Sequence, residues 1–217
     1  MAKRPADGAT DGGRNHKKIK EEHNYIPGYV PFTISTRLPP LPPITNPAYQ
    51  TAPFKHKSTV PSSHLTPAEP EVTYERLEFL GDAYIEVIAS RLLFARFGYL
   101  SVGRQSQLRE LVVKNETLAE YSRLYGLDKR VSVEGMEWMI GGGKLKGNKG
   151  FNKVLGDVFE AYVAAVVLSD PEHGFAVAEK WLTSLWALKL EDAVSCGDVL
   201  GRSRQRISDL CIVQHTC

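Results

Sequence analysis

Two pairs of carboxylates stand out as groups that could do chemistry together. Glu78 and Asp82 lie four residues apart in the run Glu75-Arg76-Leu77-Glu78-Phe79-Leu80-Gly81-Asp82, and Asp157 and Glu160 lie three apart in Gly156-Asp157-Val158-Phe159-Glu160-Ala161. At helical spacing each pair shares one face, a turn apart, and Glu75 extends the first stripe. An acidic stripe on a helix is most often a solvated face. Here the second pair sits in Val154–Leu168, a run otherwise almost wholly apolar, and a helix apolar all round is buried. Carboxylates are almost never fully buried unless paired or metal-bound. Two such helices side by side would gather four acids. An all-oxygen donor set of that density suits Mg²⁺, or Mn²⁺, rather than zinc.

The elements that must position these acids read as helices. Leu77, Leu80, Tyr84, Ile85, Ile88 and Leu92 recur at helical spacing from the first acidic run until Gly98 ends the pattern. Gly103–Tyr125 reads as a second long helix on Leu108, Leu111, Val112, Leu118 and Leu124. Glu172–Leu190 reads as a closing helix whose apolar face carries Phe175, Trp181, Leu182, Leu185 and Trp186. No strand-like alternation appears, so the expected fold class is all-α.

The acidic motifs carry a resemblance. Glu75–Asp82 resembles the signature of the ribonuclease III family of double-stranded-RNA endonucleases, and Gly156–Ala161 resembles its second acidic motif; the likeness spans roughly 38–190. It implies the family's helical endonuclease domain, expected to be a homodimer. It also implies metal-dependent cleavage of double-stranded RNA to 5′-phosphate and 3′-hydroxyl ends. Glu78, Asp82, Asp157 and Glu160 would hold the metal, with Asp82 and Glu160 the catalytic pair and Glu160 the most exacting ligand. Glu75 would face the dimer and substrate side, and Phe79 would project into the partner. In that comparison His56 and Ser58 are structural and Asn115 is supportive. Val102 stands where many members have an acid that supports the metal site, so a weakened site is expected unless Glu110 or Glu116 compensates.

The Gly-rich stretch Gly141–Gly150, with Lys144, Lys146 and Lys149, followed by Lys153, suits salt-sensitive contacts to phosphates; it lacks the pattern of a nucleotide-binding P-loop. A flexible solvated connection explains the same composition equally well. Leu38-Pro39-Pro40-Leu41-Pro42-Pro43 cannot be helical and reads as an extended linker that also resembles the lead-in of fungal members of the family.

Size and composition set the bounds. The chain of 217 residues is 42% hydrophobic, enough for one core. A net charge of +2 means that any nucleic-acid signal must be local. Three unevenly spaced cysteines give neither a disulfide framework nor a zinc pattern, which suits a reducing compartment. No segment reads as a membrane span or a secretory signal. The expected organisation is a basic tail and linker (1–37), a catalytic domain (38–190) and a short tail (191–217) too brief for the family's usual RNA-binding module. Lys3-Arg4 and Lys17-Lys18-Ile19-Lys20 suit a bipartite nuclear localisation signal, so the nucleus is the expected compartment, the nucleolus included. Expected substrates are structured precursors such as ribosomal or small nucleolar RNA. The competing expectations are a non-catalytic relative built into mitochondrial ribosomes and a regulatory dimer partner.

Overall fold

The computed structural model describes residues 37–55, 72–131 and 149–199. Five helices carry the fold: α1 (Tyr74–Arg96), α2 (Val102–Val113), α3 (Asn115–Leu124), α4 (Lys149–Ser169) and α5 (Gly174–Val199). Among the described residues there is no strand, and the fold class is all-α. No described helix is long and apolar enough to cross a membrane.

α4 is the central rod. Leu155, Val158, Phe159, Ala161, Val163, Ala164 and Ala165 are fully buried, and α1, α3 and α5 all pack against it. The all-round apolar sequence of this run thus has its expected outcome. α1 lays Leu77, Ile85, Ile88, Ala89, Leu92 and Leu93 against the core. Its N-terminal N–H, on Tyr74, finds an acceptor outside the helix, the carbonyl of Lys55, at 3.0 Å. Arg91 on α1 reaches Glu179 on α5, Nε to Oε1 at 2.6 Å and Nη2 to Oε2 at 3.4 Å, and so ties the two helices across the core edge.

Three expectations are corrected. The second long helix is two helices: Lys114, at φ −62° and ψ 146°, is extended and separates α2 from α3. No Gly or Pro marks this break, and apolar spacing continues across it. The closing helix does not stop at Leu190 but runs to Val199, and Val194 is buried. The proline-rich stretch is no solvated linker from Leu38 onward. Pro42 and Ile44 are buried, two short 3₁₀ turns follow at Pro47–Tyr49 and Ala52–Phe54, and Ala52 and Phe54 join the main core. Arg130 covers the Phe54 ring at 3.9 Å.

Candidate metal centre

The start of α1 and the middle of α4 place the acids. The two helices cross where Gly81 meets the backbone of Glu160; a Cβ on Gly81 would overlap the Glu160 carbonyl. One turn before this crossing on α1 stands Glu78, and one turn before it on α4 stands Asp157. Oxygen atoms of Glu78, Asp157 and Glu160 come within 4.8 Å of one another. Asp157 and Glu160 are buried, Glu78 is half-buried. Among the described residues this is the one such acidic group.

Three of the four expected ligands therefore converge. Asp82 does not join them within that distance and is exposed. Four residues on from Glu78, it stands about 6 Å farther along the α1 axis. Its charge still reaches the cluster. Glu160 has its pKa pushed up to about 8, first by burial and then by the charges of Asp82, Asp157 and Glu78, with Lys153 opposing. Burial likewise raises Glu78, with Asp157 adding to the shift. The ordinary remedy for such crowded, desolvated acids is a cation. Oxygen-only donors fit a hard divalent ion, so the residues present suit Mg²⁺ or Mn²⁺.

Lys153 lies one turn before Asp157 and holds both of its carboxylate oxygens, at 2.8 and 3.0 Å; its own pKa is raised by that bond. The sequence suggests phosphate contacts for Lys153; the structure pairs it with Asp157. Lys144 and Lys146, with His56 and Ser58, lie outside the described residues, as do the basic clusters of the N-terminal tail; the Lys149 side chain does too. Asn115, at the start of α3, packs on Gly156, where an added Cβ would come 2.5 Å from its Oδ1. This puts Asn115 beside the backbone that carries Asp157.

The acidic spacing that starts at Glu75 does not single out Tyr74, directly before it. This tyrosine is buried at the head of α1. Burial, then the charges of Glu75, Asp157 and Glu78, push its pKa to about 12. An aromatic residue directly before an acidic signature was the available signal.

Val102 is corrected in its reach. It is 80% exposed and lines a surface pocket with Leu93, Phe94 and Arg109. Leu93 is fifteen residues from Glu78, about 22 Å along the helix. Within one chain, a side chain at 102 does not support these carboxylates. Phe79 is 81% exposed, on the outer side of α1.

The all-helical fold and the acid cluster together define a nuclease domain of the ribonuclease III type, and residues 75–171 match the family described as Ribonuclease III domain. Over those residues the chain carries a domain of that family. It is 31% identical over 156 residues to the double-strand-specific pac1 ribonuclease of Schizosaccharomyces pombe, which covers 70% of this chain and 40% of that protein. It is 39% identical over 117 residues to Ribonuclease 3 of Streptococcus pyogenes, covering 54% of this chain and 47% of that one. The chain thus spans less than half the length of these curated relatives. Among solved structures, Dicer from Pichia stipitis aligns with a TM-score of 0.51 at 29% identity, covering 73% of this chain and 63% of that chain.

Proposed function

We propose that the protein is a metal-dependent endonuclease that cuts double-stranded RNA to 5′-phosphate and 3′-hydroxyl ends. The observation that carries this reading is the meeting of Glu78, Asp157 and Glu160 within 4.8 Å at the α1–α4 crossing. The double-strand specificity named for the pac1 relative supports the substrate class.

Glu78, Asp157 and Glu160 would hold Mg²⁺, with exposed Asp82 adjoining them. When bound, the ion supplies Lewis acidity toward water and toward the scissile phosphate. The chain's own residues do the rest. Glu160 keeps a proton near neutral pH while the cluster lacks compensating charge, and gives it up when that charge arrives. Lys153 orients the Asp157 carboxylate and brings positive charge to the place where a phosphate must approach. Glu75, Lys144, Lys146 and Lys149 are proposed to meet the RNA beyond the cluster.

The proposed assembly is a homodimer. Phe79, Ala83, Val87 and Phe94 follow one face of α1 and are all exposed. Such an exposed apolar stripe, interrupted at Ser90, marks an interface. The proposed compartment is the nucleus, on the two basic clusters of the tail, and the proposed substrates are structured RNA precursors.

The test is incubation of the purified protein with a long RNA duplex in Mg²⁺ and in EDTA. Cleavage in Mg²⁺ alone is expected; an intact duplex in both would refute the reading.

A further inference from the structure

The segment from Leu38 to Lys55 is held to the helical body by contacts that the proposed chemistry does not use. Pro39 and Pro42 each present a backbone carbonyl to a tyrosine hydroxyl: Tyr125 Oη donates to Pro39 O at 2.7 Å and Tyr162 Oη to Pro42 O at 2.6 Å. Three residues is one turn of a polyproline II helix, so acceptors at that spacing lie along one edge of an extended proline-rich chain. Trp181 Nε1 donates to Tyr125 Oη at 2.9 Å, and the Trp181 ring lies 5.7 Å from that of Tyr125 and 6.1 Å from that of Tyr162. The end of α3, α4 and α5 thus build an aromatic groove. It holds the proline-rich chain by two hydroxyl donors set among packed rings, and aromatic-lined grooves are also what modules that bind PxxP segments of other proteins present.

Both ends of this strap reach the catalytic helices. Tyr162 stands two residues after Glu160 on α4. At the other end, the Lys55 carbonyl accepts the Tyr74 N–H at 3.0 Å, one turn before Glu78. α1 and α4 pack extensively, with Gly81 against Glu160 a place of very close approach. The strap adds a tie at the head of α1, about 10 Å before Gly81 along the axis, beside the turn that carries Glu78.

We propose that residues 38–55 are an in-chain proline-rich ligand whose docking in the Tyr125–Tyr162–Trp181 groove fixes the angle between α1 and α4, which makes Tyr125 and Tyr162 positioning residues for the carboxylate cluster. The inference rests on the metal-binding reading above. Removal of the strap's anchors lets Glu78 swing relative to Asp157 and Glu160, while the groove rings keep their packing.

The test is the Tyr125→Phe/Tyr162→Phe double variant, which keeps both rings and removes both hydroxyls. Helicity is checked by circular dichroism, and Mn²⁺ affinity is measured by calorimetry well below each protein's melting temperature. Loss of groups that orient ligands typically costs 10–100-fold, and a fall of about tenfold is expected. A variant that melts earlier yet binds Mn²⁺ as tightly as the wild type would reduce the strap to a structural brace and overturn the inference. A second arm cuts the intact chain at a protease site placed within 56–71. The N-terminal fragment is expected to co-elute with the helical body and to preserve Mn²⁺ affinity; its departure with affinity unchanged overturns the inference as well. Failure of the wild type itself to bind Mn²⁺ would instead sink the functional reading.

Discussion

Gly81 of α1 lies against the carbonyl of Glu160 of α4, so closely that any side chain at 81 would collide with backbone rather than with a movable group. The residue is glycine because of this approach, and the approach brings Glu78 to Asp157 and Glu160. Gly81→Ala should therefore act twice. It should destabilise the fold by about 3 kcal/mol, the upper part of the usual range for overpacking. It should also push the acids apart and weaken Mn²⁺ binding. Urea unfolding and calorimetry on the same preparation check both.

Glu160→Gln separates chemistry from folding. The amide keeps the shape of the buried side chain and removes its charge. Cleavage of an RNA duplex in Mg²⁺ should disappear while gel-shift binding of the duplex persists. In EDTA at pH 8 the variant should melt above the wild type, because a desolvated acid that is half ionised there has been replaced by a neutral group. Wild-type cleavage rates in the variant would remove Glu160 from the mechanism.

The metal-free protein should lose stability as pH rises. Glu160 has a folded pKa of about 8 against an ordinary 4.5. Below the lower value it is protonated whether folded or unfolded. Between the two, the unfolded chain holds fewer protons than the folded one, so stability falls with pH and levels off above 8. Each unit of difference corresponds to about 1.4 kcal/mol. Melting curves in EDTA from pH 4 to 9 should show this decline. Mg²⁺ should reverse it, with tighter binding at higher pH, since the ion displaces a proton.

Arg91 and Glu179 test the frame away from the cluster. Glu179 is 5% exposed, and its charge is met by Arg91, whose guanidinium also stacks over Phe175 at 5.8 Å. Arg91→Met leaves a buried carboxylate without that partner and should cost about 3 kcal/mol. Arg91→Lys should recover only part, because a point charge cannot span both oxygens. Denaturant midpoints of the two variants give the comparison.

Phe79→Asp addresses assembly. Phe79 is 81% exposed, so the change should leave the melting of a single chain nearly untouched. Light scattering should show a shift from dimer toward monomer at micromolar concentration. A wild type that is already monomeric would refute the proposed pairing.

The parts of this molecule that a reader of the sequence could find are those with local causes. α1 and α4 follow from apolar spacing, and the burial of Asp157 and Glu160 follows from the apolar residues on every side of them. What was hidden depends on distant partners. Leu38–Pro43 has the composition of a linker, and only Tyr125, Tyr162 and Trp181, remote in sequence, make it part of the core. The break at Lys114 has no turn residue, because Leu111, Val112 and Leu118 keep a helical period across it. Asp82 has the right spacing on its own helix, but spacing does not say how far past a crossing point a side chain will fall.

The hydroxyl of Tyr162 is separated from the carbonyl it holds on Pro42 by 120 residues, and Thr45 meets the Ser169 carbonyl across 124. The ribosome makes Pro42 long before Tyr162 exists, so this stretch cannot take its seat until the helix that carries Tyr162 has been made. Until then a length of proline-rich chain waits without its aromatic hosts, and its late arrival completes the head of the helix that bears Glu78.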